Sequence, residues 1–223
     1  MFLTIPDLLD ADRIARLRAD LGRADWSGGL DSTGGAGQGR KSNLQVTADD
    51  PQFAHWRKQI AATLWQHPMM RFLVMPRRIM PPVFNRYDTG MYYRDHVDYP
   101  LLAGAGMMMR ADLSLTIFLS APDEYEGGDL VIGLRDGERR VKLPAGQAIV
   151  YPASTLHRVE PVRSGSRLGI ISTVQSRIRG ETERALVGDM VALWNRIEAR
   201  EPDGEDVRLA RKIHHNLVRL WAD

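Results

Sequence analysis

The chain has no cysteine among its 223 residues. Without a thiol it has no disulfide framework, no thiolate zinc site, no iron–sulfur cluster and no cysteine nucleophile. Any metal site must therefore be built from histidine, aspartate or glutamate side chains.

The sequence also lacks an excess of charge of one sign and a long hydrophobic run. The 30 basic and 28 acidic residues leave a formal charge of +2, which does not favour nucleic-acid binding through bulk charge. No segment approaches the ~18 apolar residues of a membrane span, and the first residues lack a basic region followed by an apolar core. We expect a soluble cytoplasmic protein with neither a membrane nor a nucleic-acid partner.

Four segments carry apolar residues at helical spacing, two near each end of the chain. They cover 10–24, 51–70, 181–200 and 206–221. The first begins after Asp10 or Asp12 as N-cap, and the last two form a predicted helical hairpin. The stripe Leu209, Ile213 and Leu220 with Trp221 is expected to pack on the core, with a homodimer face as the alternative.

Between residues 82 and 175 the pattern changes to short β-branched and aromatic runs separated by turn signals. The clearest strand alternates over 113–119, and 147–151 and 168–174 are further strands. Roughly eight strands at this spacing predict a jelly roll or barrel. The predicted fold is mainly β with flanking helices: an N-terminal helical and loop region (1–81), a double-stranded β-helix core (82–177) and a C-terminal helical extension (178–223).

A glycine-rich segment, 27–39, lies between the first two helices. It resembles a phosphate-binding loop only in part, because Arg40 directly follows Gly39 and Lys41 falls one place late. We interpret the segment as a linker or a mobile lid over the mouth of a site.

Two histidines and one aspartate stand out as metal ligands. His96 and Asp98 are two residues apart, and on a strand such residues point to the same face. His157, on a distant strand of the β block, supplies a third ligand. Two histidines and one carboxylate form the facial triad of non-haem Fe(II) oxygenases, which leaves three coordination positions open.

Arg167 lies ten residues after His157, just beyond a turn signal at 164–166. If 157–162 and 167–174 form a hairpin, Arg167 lies roughly 13–17 Å along the sheet from His157, about the span of an iron-bound dicarboxylate and an arginine side chain. A planar guanidinium can bind the far carboxylate through two parallel hydrogen bonds.

The order His-x-Asp, His and Arg on a jelly-roll pattern resembles the iron- and 2-oxoglutarate-dependent dioxygenases. Other motifs resemble the PKHD-type hydroxylases, a bacterial branch related to the prolyl 4-hydroxylases. These motifs lie at 85–90, 127–132, 141–146, 151–153 and 156–159, with a terminal helix at 215–223.

The resemblance implies a double-stranded β-helix that binds Fe(II) through His96, Asp98 and His157. It implies that Arg167 binds the distal carboxylate of 2-oxoglutarate, that Tyr87 also contacts this cosubstrate, and that L-ascorbate keeps the iron reduced. Prolyl 4-hydroxylases commonly carry lysine where this chain has Arg167, so collagen-type specificity does not transfer directly.

The predicted activity is O₂-dependent hydroxylation of an unactivated C–H bond, with release of succinate and CO₂. The alternative is a non-catalytic, cupin-like module that binds or senses iron. The substrate is a small molecule or a peptide, with a prolyl residue and a siderophore-related molecule as candidates, and its selection falls to loops 27–43 and 99–111.

Overall fold

In the part of the chain that the structure describes, two large antiparallel sheets form the centre and four α-helices flank them. The computed structural model describes residues 1–29, 39–47, 50–104 and 107–223. The strands of these residues, in chain order, are β1 (Leu3–Ile5), β2 (Trp26–Gly28), β3 (Lys41–Ser42), β4 (Leu44–Val46), β5 (Pro76–Ile79), β6 (Val83–Asp88), β7 (Tyr92–His96), β8 (Leu101–Gly104), β9 (Met107–Arg110), β10 (Leu113–Phe118), β11 (Tyr125–Gly127), β12 (Leu130–Leu134), β13 (Gly137–Val141), β14 (Ala148–Pro152), β15 (His157–Val159) and β16 (Val162–Ser176). The helices are α1 (Ala11–Leu21), α2 (Pro51–Gln66), α3 (Glu181–Glu198) and α4 (Glu205–Trp221).

The larger sheet has the strand order β1-β14-β10-β16-β6-β4-β2, and β5 and β11 also pair with β16. The smaller sheet has the order β13-β12-β15-β7-β3, and β8 with β9 forms a separate hairpin. This architecture confirms the predicted fold class, mainly β with flanking helices. Strands from before residue 82 join both sheets, a contribution that the predicted helical and loop region did not include.

The first helix begins at a predicted cap, and the second begins at an aspartate that was not predicted as one. Asp10 accepts a hydrogen bond from the backbone N–H of Arg13, and the Asp50 side chain accepts one from Gln52 before Pro51 opens α2. The predicted single helix over 51–70 is wrong at its end, because α2 stops at Gln66 and a π-helical turn follows over Met70–Val74. Pro68 explains the break, since the residue before a proline is driven out of the helical region.

The predicted hairpin between 157–162 and 167–174 is also wrong. β15 pairs with β12 and β7 in the smaller sheet, whereas β16 pairs with β10 and β6 in the larger one. The chain crosses between the sheets at Glu160–Pro161, and β16 runs straight through the supposed turn at 164–166. Gly165 has a φ of 76°, and an added Cβ would lie 2.3 Å from the carbonyl oxygen of Glu124, which directly precedes β11. Both observations require glycine at this position without reversing the chain.

The C-terminal hairpin packs through only one residue of the expected stripe, Trp221. Together with Leu217 and Val218, Trp221 contacts a small apolar cluster that includes Met75 and Ile178. The other three residues of the stripe, Leu209, Ile213 and Leu220, are exposed. The apolar spacing was correct for a helix, but it did not identify which face is buried.

Two further predictions concern the glycine-rich segment and membrane spans. Most of the glycine-rich segment, residues 30–38, lies outside the described residues, so the lid remains a prediction. None of the helices in the described ranges combines the length and the apolar content needed to cross a membrane.

Candidate active site

A cavity of about 270 Å³ opens between the two sheets and is lined by both. His96 and His157 line it from the smaller sheet, and Tyr87 and Arg167 line it from the larger one. The crossover between β15 and β16 therefore places His157 and Arg167 on opposite sheets of a single cavity, which replaces the predicted arrangement along one hairpin.

The three predicted metal ligands converge in this cavity. His96 and His157 are register partners on β7 and β15, and Asp98 Oδ1 is 3.8 Å from His96 Nε2 and 3.9 Å from His157 Nε2. One donor atom from each residue lies within 4.8 Å of the others. The strand argument for Asp98 was wrong in detail, because β7 ends at His96 and Asp98 lies two residues beyond it.

Each of the three side chains also makes a hydrogen bond, through the atom that is not its metal-donor atom. Nδ1 of His96 donates to the Arg94 carbonyl oxygen at 2.8 Å, and Nδ1 of His157 donates to that of Thr155 at 2.9 Å. This tautomer leaves both Nε2 lone pairs available for a metal. The hydroxyl of Ser114, on β10, donates to Asp98 Oδ2 and leaves Oδ1 for coordination.

The surroundings of His96 favour its neutral, coordinating form. Burial, together with the neighbouring His157, lowers the pKa of His96 to about 4. The Tyr93 ring stacks on the imidazole with centroids 3.6 Å apart. A register shift between β7 and β15, which pairs His96 with His157 but Tyr93 with Val159, allows both rings to line the cavity despite their odd spacing.

Arg167 occupies the end of the cavity on the larger sheet. It is only 3% exposed, and its guanidinium carbon lies 5.2 Å from the centre of the Tyr87 ring and 5.4 Å from that of Phe118. Its Nε has no hydrogen-bond partner among the described residues. A buried guanidinium with an unused donor fits an anionic partner, which none of the described residues supplies.

Tyr87 is the register partner of Arg167 on β6, and the two side chains share the cavity face. Burial raises the pKa of Tyr87 to about 12, although the charge of Arg167 opposes the shift. The hydroxyl is therefore protonated at neutral pH and can donate a hydrogen bond beside the guanidinium.

Sequence reasoning missed several polar residues of the cavity wall. For Ser114 the sequence held a signal, because the alternation of 113–117 places polar side chains on one face of the strand. That face is buried, as is all of β10, and it lines the cavity. Lys41, Gln45 and Asn85 also line it. The Lys41 ammonium group donates to the Gly29 carbonyl oxygen at 3.0 Å, and burial lowers its pKa to about 8.

Comparisons with known proteins agree with this geometry. Residues 82–174 match the family model of the 2OG-Fe(II) oxygenase superfamily. A PKHD-type hydroxylase of Stenotrophomonas maltophilia is 41% identical to this chain over 224 residues, and both proteins are covered completely. A PKHD-type hydroxylase of Klebsiella pneumoniae is 39% identical over 224 residues, again with complete coverage of both.

Solved structures show the same fold at low sequence identity. A prolyl-4-hydroxylase of Pseudomonas putida matches with a TM-score of 0.55 and 20% identity, over 79% of this chain and 92% of its own. A prolyl hydroxylase of Trichoplax adhaerens, solved with a peptide fragment of a hypoxia inducible factor, matches with a TM-score of 0.62 and 14% identity, over 83% and 86%. These likenesses confirm the jelly-roll core. The chain belongs to the PKHD-type hydroxylases, which are 2-oxoglutarate-dependent dioxygenases of the 2OG-Fe(II) oxygenase superfamily.

Proposed function

We propose that this enzyme couples the oxidation of 2-oxoglutarate to the hydroxylation of an unactivated C–H bond in a second substrate. One atom of O₂ enters the new hydroxyl group and the other enters succinate, while the 1-carboxylate leaves as CO₂. The observation that supports this is the presence, in one cavity, of three convergent metal-donor atoms and a buried arginine on the opposite sheet.

The donor set fits the metal that the family uses. Two neutral imidazoles and one carboxylate oxygen are the ligands of non-haem Fe(II) oxygenases, and the three remaining positions are open to cosubstrate and O₂. When bound, iron with 2-oxoglutarate supplies the oxidising chemistry. His96, Asp98 and His157 would hold the metal, and the Ser114 hydroxyl would keep Asp98 Oδ1 turned toward it.

The opposite end of the cavity fits the distal carboxylate of 2-oxoglutarate. Arg167 would bind that carboxylate through two charge-assisted hydrogen bonds, and the Tyr87 hydroxyl would donate a further one. Fixing this end sets the orientation of the cosubstrate toward the metal. The buried apolar side chains around Arg167 keep water away from the site.

The remaining participants are proposed from the resemblance and the composition. L-Ascorbate would serve as the reductant that restores Fe(II). The second substrate would be a small molecule or a peptide, with a prolyl residue and a siderophore-related molecule as candidates. The exposed Leu209, Ile213 and Leu220 would form a homodimer face, and the protein would act in the cytoplasm without a nucleic-acid or membrane partner.

Anaerobic titration of the Fe(II)-loaded protein with 2-oxoglutarate tests the proposal. We expect a visible charge-transfer band in the wild type, a weakened band in Arg167→Ala and no band in His157→Ala. Succinate and CO₂ should then form when O₂ is admitted. Tightly bound iron without a band would overturn the proposal and favour an iron-binding or iron-sensing module.

A further inference from the structure

Three amide side chains form a hydrogen-bonded group in the cavity wall. Asn43 Nδ2 donates to Asn85 Oδ1 at 2.8 Å, and Gln45 Nε2 donates to the same oxygen at 2.7 Å. Asn85 Nδ2 donates in turn to the Val83 carbonyl oxygen at 3.0 Å. Each of the three amides is at least nine-tenths buried, and Gln45 and Asn85 line the cavity.

The directions of these hydrogen bonds determine which atom of the Gln45 amide makes no hydrogen bond within the group. A backbone carbonyl can only accept, so the Asn85 amide must turn its NH₂ group toward Val83 and its oxygen toward Asn43 and Gln45. Gln45 must then turn its own NH₂ group toward Asn85. No described residue donates a hydrogen bond to the remaining atom, Gln45 Oε1. The wall therefore presents an acceptor of fixed orientation.

The position of this acceptor follows from the strand register. Tyr87 pairs with Arg167, Asn85 pairs with Gly169, and Val83 pairs with Ile171. Since Gln45 pairs with Asn85, the amide group lies one step, about 7 Å, from the arginine toward Ile171. Ile171 is 39% exposed and marks the rim, so Gln45 lies between the predicted cosubstrate end and the cavity mouth.

2-Oxoglutarate cannot satisfy Gln45 Oε1. Both of its carboxylates and its oxo group are acceptors, and two acceptors repel one another. The partner must therefore bring a hydrogen. A cationic donor is disfavoured because the ionisable groups lining the cavity from the described residues include a single carboxylate, Asp98, which faces the two metal-site histidines.

We propose that Gln45 Oε1 accepts a hydrogen bond from a neutral N–H or O–H group of the second substrate, such as a secondary amide. An apolar part of the same molecule lies against the rim, where Val97, Tyr99 and Ile171 are exposed. The inference rests on the proposed function, since it concerns the molecule that the enzyme hydroxylates. It means that the barrel wall, and not the loops alone, selects the second substrate.

Paired amide probes test this subsite. N-Butylacetamide has one N–H group, and N-butyl-N-methylacetamide has none. Relaxation of the probe protons by Mn(II) bound at the triad, in the presence of 2-oxoglutarate, reports binding near the metal. We expect the N–H probe to bind the wild type about tenfold more tightly than its N-methyl counterpart, the size of one neutral hydrogen bond.

Substitution of Gln45 tests whether the difference between the two probes arises at this residue. Gln45→Met removes the acceptor at similar volume and should abolish the difference between the probes. Gln175→Met is the matched control, because Gln175 is equally buried but does not line the cavity, and it should keep the difference.

Three results would overturn the inference: equal affinity of the two probes for the wild type, no relaxation of either probe, or an undiminished difference in Gln45→Met. The first two require no variant, so they remain decisive if Gln45→Met does not fold. The affinity of each sample for Mn(II) and 2-oxoglutarate is measured in the same titration. Loss of 2-oxoglutarate binding in the wild type would contradict the proposed function itself, whereas normal binding without probe discrimination contradicts the subsite alone.

Discussion

The two ends of the cavity are prepared for their ligands in different ways. At the metal end, His96 and His157 are each held by a backbone carbonyl, and Asp98 is held by Ser114. At the opposite end, Arg167 is held between aromatic rings while its Nε lacks a partner among the described residues. Under the proposed function, the metal end would be organised before its ligand arrives, whereas the arginine end would gain its missing hydrogen-bond partner only when an anion binds. The two ends should therefore respond separately to substitution.

The largest effect is expected from His157→Ala. Removal of a ligand leaves two donor atoms, and the affinity for Fe(II) or Mn(II) should fall by more than about 100-fold, since changes in outer partners of a ligand alone cost 10–100-fold. Isothermal titration with Mn(II) measures the loss. His214→Ala is the control, because His214 is equally buried but lies on α4, and it should bind the metal normally. Equal metal affinity in both variants would show that the triad is not the metal site.

Arg167→Met should separate the two ends most clearly. Without the charge-assisted hydrogen bonds, worth about 3 kcal/mol, the affinity for 2-oxoglutarate should fall about 100-fold while Mn(II) affinity stays unchanged. The ligand-free variant should melt at no lower temperature than the wild type, because an incompletely paired buried charge is removed.

Arg184→Met is the contrasting variant. Arg184 is also buried, but its guanidinium donates to the carbonyl oxygens of Ile178 and Arg179 outside the cavity. The Arg184→Met substitution should lower the melting temperature of the protein and leave 2-oxoglutarate binding intact. A parallel loss of Mn(II) affinity in Arg167→Met would contradict the separation of the two ends.

Ser114→Ala should weaken the metal end without removing a ligand. With Asp98 Oδ2 released, the carboxylate can rotate, and Mn(II) affinity should fall about tenfold. Ser114→Thr keeps the hydroxyl and should restore most of the affinity. Ser120→Ala removes a buried hydroxyl that donates to the Ser166 carbonyl oxygen instead, and its metal affinity should equal that of the wild type. If Ser114→Ala binds Mn(II) normally, Asp98 is oriented without the serine.

The smallest effect is expected from Tyr87→Phe. Loss of one neutral hydrogen bond, about 1 kcal/mol, should weaken 2-oxoglutarate binding about fivefold, with no change in metal affinity. Tyr92→Phe, on β7 and outside the cavity lining, is the control. Unchanged binding of 2-oxoglutarate in Tyr87→Phe would remove this tyrosine from the predicted set.

The sequence predicted the family and the residues that meet in one cavity better than it predicted their arrangement. The identity and order of His96, Asp98, His157 and Arg167 were sufficient to indicate the family, and the structure brings all four to one cavity. The hairpin that was used to connect His157 with Arg167 does not exist, because Gly165 permits close approach of β11 instead of reversing the chain. Pairing between distant strands decides this, and no local pattern reports it.

The polar residues of the cavity wall could not be predicted from the sequence, for a related reason. Ser114 was visible as a polar residue within a predicted strand, and Asn85 lay within the predicted β block, but a polar strand face is normally read as solvent-exposed. Here the polar face borders an internal cavity and is almost completely buried. Whether such a face meets water or a ligand depends on which sheet covers it. The hydrogen-bond directions that leave Gln45 Oε1 without a donor among the described residues emerge only once β4 and β6 are paired.

The register pairing of His96 with His157 also bears on how the chain folds. The two strands β7 and β15 lie far apart in sequence, and closing the intervening loop carries an entropic cost that must be met before their contact contributes stability. A metal that binds both imidazoles stabilises only the state in which this long-range pairing exists. Metal binding would therefore stabilise this long-range pairing against local opening of the smaller sheet, and amide hydrogen exchange along β7 and β15 should slow when Mn(II) is added.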